Sequence, residues 1–212
     1  MNAGALAVPI GVLLAGGRSE RMGGGDKTLK VLGGTPMLAR VIARARPQVG
    51  ELIVNANGDP ARFASFGLPV VADVVEGFAG PLAGILSALE WAARNRPQAE
   101  WVASFPTDAP FFPFDLVARL AAAVAREGAE LACASSQGRT HPVFALWRVA
   151  LRHPLRRAMT EENVRKIDLW TARYRVAHVD FAAQPFDPFF NVNRPENLAE
   201  AETLLASERV EP

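Results

Sequence analysis

Four short runs of almost uniformly apolar residues, 10–14, 52–55, 70–72 and 101–105, constrain this chain most. A strand with one wet face alternates apolar and polar residues, so runs without alternation belong to strands covered on both faces. The segments between them carry helical periodicity. The first is expected to open with Thr35 as N-cap and Pro36 at the first helical position, and it then lines Met37, Leu38, Val41, Ile42 and Ala45 along one face. Further helices are expected at 82–93 and 115–127, with Pro113 near the start of the latter. Strand alternating with helix predicts an α/β fold with a mainly parallel sheet, helices on both faces and right-handed crossovers.

Beyond residue 128 the pattern is less regular, with strands expected near 131–135, 143–147 and 174–181 and helices near 149–159 and 195–205. This part is expected to insert an antiparallel strand and a variable acceptor-side region. No repeat, low-complexity stretch or long linker divides the 212 residues, half of them apolar, so one domain is expected over 1–212, with a nucleotide-binding half at 8–110 and an acceptor-side half at 111–206. The single cysteine, Cys133, lies in an apolar run, which forbids an internal disulfide, predicts burial in a strand and suits a reducing cytosol. Residues 1–9 lack a basic start and a long apolar core, so neither a signal peptide nor a membrane span is expected, and the charged tail after Ala206 is expected to fray. A net charge of +1 gives no broad basic field for nucleic acid or an anionic membrane. A small-molecule partner and a cytoplasmic location follow as expectations.

The segment 14–27, Leu-Ala-Gly-Gly-Arg-Ser-Glu-Arg-Met-Gly-Gly-Gly-Asp-Lys, directly follows the first strand, where open α/β sheets place their ligands. Its five glycines let backbone N–H groups approach a polyphosphate, and Arg18, Arg21 and Lys27 can neutralise one. A glycine-rich surface turn with solvated cations is the alternative. A P-loop would need Gly directly before Lys-Thr, but Asp26 stands before Lys27-Thr28, and no Gly-x-Gly-x-x-Gly occurs in the segment.

Leu-Ala-Gly-Gly-x-Ser-x-Arg-Met-Gly followed by Asp26-Lys27 resembles the signature loop of the molybdenum cofactor guanylyltransferase (MobA) family, within the nucleotidyltransferases of the nucleotide-diphospho-sugar transferase type. The resemblance continues in family order through Asn55-Ala56-Asn57, Asp73, Gly80-Pro81-Leu82-Ala83-Gly84, Pro106-Thr107-Asp108 and Asn191-Val192-Asn193-x-Pro195, covering nearly the whole chain. The aromatic stretch ending at Phe190 lies outside the family pattern; burial against the core is expected for it, a partner contact being the alternative.

The resemblance implies a single-domain, Rossmann-like sheet and a GTP site formed by Leu14, Ala15, Gly16, Gly17, Lys27, Asn55, Asp73, Gly80, Gly84 and Asp108, with Asn191 and Asn193 on the pterin side. Asp108 closes an apolar strand and is the candidate Mg2+ ligand, since magnesium needs only one or two protein carboxylates. A turn or N-cap aspartate is its alternative reading. Asp73 is implied to read the base: guanine offers N1–H and an amino group side by side to one carboxylate, and cytosine has no such pair. Ala15-Gly16-Gly17, where related cytidylyltransferases tend to carry Ala-Ala-Gly, points the same way. Asn55 has a strand-end turn as its alternative, Gly80 and Gly84 a plain helix start, and Asn191 and Asn193 an N-cap.

The activity implied is transfer of GMP from GTP to the terminal phosphate of molybdopterin or its molybdenum form, giving the guanine dinucleotide and pyrophosphate. Lys27, Arg21 and Asp108 are the implied catalytic residues, acting by positioning and charge neutralisation without a general base. Another phosphate acceptor, of cytidylyl or sugar-phosphate type, and a non-catalytic protein that binds and delivers nucleotide or pterin are the competing readings. The expected state is a monomer, with contact to molybdoenzymes or their chaperones as a further expectation. His141, His153 and His178 have neither zinc nor Ser-His-Asp spacing and receive no catalytic role, and Arg156, Arg157, Arg165 and Lys166 read as a solvated helix face rather than a phosphate site.

Overall fold

A computed structural model describes residues 6–16, 27–77 and 80–208. Nine strands and six helices occur among them: β1 (Ile10–Leu14), β2 (Val31–Leu32), β3 (Thr35–Pro36), α1 (Met37–Ala45), β4 (Glu51–Asn55), β5 (Val70–Val71), α2 (Pro81–Asn95), β6 (Trp101–Pro106), α3 (Leu116–Glu127), β7 (Leu131–Ser136), β8 (Arg139–Arg148), α4 (Arg152–Thr160), α5 (Ile167–Thr171), β9 (Val176–Asp180) and α6 (Pro195–Glu208). The main sheet has seven strands in the order β5-β4-β1-β6-β8-β7-β9. All its pairings are parallel except those of β8, which runs against both β6 and β7.

The apolar runs are continuous because each strand feeds two cores. Leu13, Val54 and Phe105 pack with α1 and α3 on one face, while Val12, Ile53 and Val102 pack with α2, α4 and α5 on the other. The expected run 70–72 is the exception: β5 is two residues long, half-buried, and lies at the edge of the sheet. Cys133 is buried in β7, as its apolar neighbours imply, and burial pushes its thiol up to about 12.

Thr35 does not cap α1. It pairs with Leu32 in the small hairpin β2-β3, whose two-residue turn is Gly33-Gly34, both at positive φ, so the helix begins directly after Pro36. Adjacent glycines adopt the positive φ that such a turn demands at both central positions, and this local signal outweighs the capping tendency of threonine. A side chain would also be blocked at Gly33, where an added Cβ would lie 2.3 Å from Leu205 Cδ2. Two short elements lack a clear sequence signature: α5, and a 3-10 turn over Pro60–Phe66 that Asp59 opens by accepting the Ala61 amide at 2.9 Å. A third apolar cluster joins the hairpin to α6 through Leu32, Met37, Phe111, Val192, Ala201 and Leu205, with Phe186 and Phe190 against it. The expected fraying tail is described only to Glu208; residues 209–212 lie outside the described residues.

Candidate functional site

The chain travels outward from β1 to β4 and β5, then returns to place β6 on the other side of β1. This reversal opens a crevice beyond the carboxyl ends of β1 and β6, where ligands bind in open α/β sheets. Register lines up the strand ends there: Leu14 pairs with Asn55 on one side and Pro106 on the other, and Asn55 pairs in turn with Val71. The loops after all four strands therefore leave from one level.

Leu14 ends β1, its carbonyl accepting the Thr107 hydroxyl at 3.1 Å, and the buried Ala15 donates its N–H to the Asn55 carbonyl at 2.9 Å. These two bonds fix where the glycine-rich segment departs. Gly16 is exposed. Gly17, Arg18 and Arg21 lie outside the described residues, as does the side chain of Lys27, whose backbone opens a 3-10 turn at Lys27–Leu29.

Asn55, Asn57 and Asp73 form a clamp across β4 and β5. Asn55 is only 4 % exposed, and its Nδ2 donates to the Val71 carbonyl at 3.1 Å and to Asp73 Oδ1 at 2.9 Å. Asn57 Nδ2 donates to Asp73 Oδ2 at 2.7 Å, and its Oδ1 accepts the Asp73 amide at 2.9 Å. Each carboxylate oxygen thus takes one amide proton from the protein and keeps lone-pair capacity for a second donor. Asn57 lies within the Asn55-Ala56-Asn57 motif, which by itself gives it no role. Its two-residue spacing from Asn55, which directs both amides to one side of an extended chain, was the available signal.

Gly80 caps α2 at φ 134° and ψ 167°, a region open essentially to glycine alone. Gly84, one turn into α2, is buried for a reason that lies within the protein: an added Cβ would sit 2.2 Å from Asn55 Oδ1 and 2.8 Å from Leu14 Cδ2. Its missing side chain lets the helix N-terminus rest on the ends of β1 and β4. The loop after Asp73 is drawn to the same helix, because Ser87 Oγ accepts the Val74 amide at 3.0 Å while donating to the Ala83 carbonyl.

Asp108 is half-buried two residues beyond β6, and its carbonyl accepts the Val192 amide at 2.7 Å. That bond brings the segment 191–193 to the crevice, with Val192 fully buried and Asn191 and Asn193 exposed on either side. Asn197 Oδ1, reaching back from α6, accepts the amides of Asn193 and Arg194. Of the twelve residues assigned to the nucleotide or pterin, the structure brings Leu14, Ala15, Gly16, Asn55, Asp73, Gly80, Gly84, Asp108, Asn191 and Asn193 to this one edge of the sheet. Arg156 lies elsewhere, paired bidentately with Glu90 at 2.6 and 2.8 Å between α4 and α2.

Among the described residues no three His, Cys, Asp or Glu side chains cluster as a metal cage, and no helix is long and apolar enough to cross a membrane. Asp108, half-buried two residues beyond β6, contributes one carboxylate-bearing residue at this edge of the sheet, and Asp73, with one amide proton on each oxygen, contributes another. That donor set suits a hard cation that brings water and phosphate oxygens to complete its shell.

Comparison with known proteins agrees with this geometry. The model of the MobA-like NTP transferase domain matches residues 11–175. The chain is 58% identical over 196 residues to the molybdenum cofactor guanylyltransferase of Nitrobacter hamburgensis, covering 92% of this chain and 94% of that one. It is 57% identical over 193 residues to the enzyme of the same name from Rhodopseudomonas palustris strain BisB5, covering 91% and 92%. Among solved structures, molybdopterin-guanine dinucleotide biosynthesis protein A from Archaeoglobus fulgidus superposes with a TM-score of 0.72 at 22% identity, covering 93% of this chain and 99% of that one. A CMP:2-keto-3-deoxy-manno-octonic acid synthetase complexed with CTP reaches a TM-score of 0.74 at 15% identity, covering 95% and 100%. The likeness to these two solved structures establishes the nucleotide-diphospho-sugar transferase fold, and the matched model and curated relatives establish the lineage: the chain belongs to the MobA-like NTP transferases, among the molybdenum cofactor guanylyltransferases.

Proposed function

We propose that this chain transfers GMP from GTP to the terminal phosphate of molybdopterin or Mo-molybdopterin, forming the guanine dinucleotide and releasing pyrophosphate. The observation that carries the donor half is Asp73. Its carboxylate is held from behind by Asn55 and Asn57, leaving two adjacent acceptors for the N1–H and amino group of guanine. The acceptor half rests on the relatives, whose printed name is molybdenum cofactor guanylyltransferase.

A phosphate monoester is largely dianionic near neutral pH, so the acceptor is already a nucleophile and the site needs no general base. The work of the chain is to hold two polyanions in line and to meet the charge at the α-phosphorus and the departing pyrophosphate. Backbone amides of Gly16 and Gly17 and the cations of Arg21 and Lys27 are the groups assigned to the phosphates. Asn191 and Asn193 hold the pterin. Asp108 is the residue that would hold Mg2+, which when bound would neutralise phosphate oxygens as a Lewis acid. A structure of Rv0371C from Mycobacterium tuberculosis, described as a complex with manganese, shares the fold, with a TM-score of 0.67 at 17% identity. The division into a nucleotide half at 8–110 and an acceptor half at 111–206, the cytoplasmic location, the monomeric state and contact with molybdoenzymes or their chaperones belong to the same reading.

Thermal unfolding with GTP, CTP or ATP, each with and without Mg2+, tests the donor side. A ligand at a hundredfold excess over its Kd stabilises by about 2.7 kcal/mol, so a magnesium-dependent rise in Tm with GTP alone is expected. Equal shifts with CTP would defeat the assignment of the base. Pyrophosphate release that requires both GTP and molybdopterin tests the transfer.

A further inference from the structure

The loop joining β9 to α6 carries Asn191 and Asn193 to the crevice and is anchored at three points. At one end Val192 donates to the Asp108 carbonyl. In the middle Phe189 is buried among Phe144, Phe181 and the His141 ring, with centroids 4.9, 5.4 and 4.5 Å away. The third anchor is polar. Asp187 Oδ1 accepts the Phe189 amide at 3.0 Å and the hydroxyl of Ser136 at 2.9 Å, and Ser136 Oγ lies 2.7 Å from His141 Nε2.

The direction of this chain of bonds follows from proton counting. An ionised carboxylate only accepts, so the one proton of Ser136 goes to Asp187 and His141 must donate from Nε2. Burial holds the His141 imidazole below its ordinary pKa, with the Asp187 charge opposing that shift, so the neutral Nε2–H form fits the bond. The trio is not a nucleophilic triad. There the histidine bridges serine and aspartate, whereas here a fully buried serine bridges the other two and reaches no solvent.

Ser136 is the last residue of β7, and His141 lies early in β8, so the anchor ties the loop to the antiparallel part of the sheet, while Val192 ties it to the turn after β6. Two separate strand ends thereby fix one segment, and that segment presents Asn191 and Asn193.

We propose that Asp187 is a positioning residue for the acceptor: through Ser136 and the Phe189 amide it sets the loop that places Asn191 and Asn193 opposite Asp108. The identity of the acceptor rests on the function proposed above. Asp187 is assigned no contact with either substrate, so its loss is expected to act on where the loop lies and not on the phosphates of GTP.

The test compares Asp187→Ala, Ser136→Ala and Asp187→Asn with the wild type in three measurements: KM for molybdopterin, Kd for GTP with Mg2+, and hydrogen exchange at the Phe189 and Val192 amides. Losing a hydrogen bond to a charged group is expected to raise the acceptor KM about tenfold in Asp187→Ala and by a smaller factor in Ser136→Ala, with GTP affinity unchanged to about twofold. Both variants should exchange the two amides faster. Asp187→Asn keeps an Oδ1 acceptor for Ser136 and Phe189 and should restore the acceptor KM. An unchanged acceptor KM in both alanine variants, an equal loss of GTP affinity, or an asparagine variant as impaired as the alanine would overturn the assignment. The exchange measurement needs no acceptor, so faster exchange at Val192 in a protein that makes no dinucleotide would uphold the anchor and reject the proposed activity.

Discussion

Asp73 concentrates the base-reading hypothesis in one carboxylate. Asp73→Ala is expected to erode discrimination between GTP and CTP, measured as the ratio of their dissociation constants, while leaving phosphate binding in place. Asn57→Ala should do the same more weakly, since it removes a group that aims the carboxylate without itself touching a base. Gly84→Ala tests the packing beneath that clamp: a Cβ 2.2 Å from Asn55 Oδ1 forces a shift in a tight place, and roughly 1–3 kcal/mol of stability should be lost in urea unfolding. An unaltered midpoint would show that α2 is free to move. Cys133 offers a pH test. Its thiol is raised from 9.0 to about 12, so the neutral form is favoured in the fold; this stabilisation is complete below pH 9 and declines as pH rises toward 12. Cys133→Ala should flatten that alkaline decline, and a wild-type thiol reacting rapidly with an alkylating reagent at pH 8 would contradict the burial.

At the scale of elements, the apolar runs at 10–14, 52–55 and 101–105 were legible because burial on both faces leaves no other composition. Thr35-Pro36 reads as a helix start because the capping rule is local, whereas the hairpin partner of Thr35 lies across Gly33-Gly34. The five-residue α5 had no signal, since a single turn held by Trp170 in the core owes its existence to tertiary packing. Asp187 was invisible for a related reason: its partner Ser136 lies 51 residues away in sequence, and nothing short of the folded sheet places the two side by side. The hairpin gives an element-scale prediction. Gly33 and Gly34 both have positive φ, but only Gly33 faces Leu205 and binds Glu202 through its amide. Gly33→Ala should therefore destabilise more than Gly34→Ala in chemical denaturation, and equal losses would mean that strain in φ alone matters.

For the molecule as a whole, one sheet runs through both halves, and β6 meets β8 across the boundary at residue 110. Unfolding is expected to be a single cooperative transition that GTP shifts as a unit; two transitions, only one of them moved by GTP, would separate the halves. The strand that runs the other way has a wider consequence. Because β8 is antiparallel, its turn with β7 at Gln137-Gly138 emerges at the same rim as the carboxyl ends of β1 and β6, although it belongs to a hairpin and not to a crossover. Hairpin turns accept insertions and changes of residue more readily than the crossovers that set a parallel register. The tip of this ribbon can therefore change in length and residue while the strand register that aligns Leu14, Asn55 and Pro106 stays as it is.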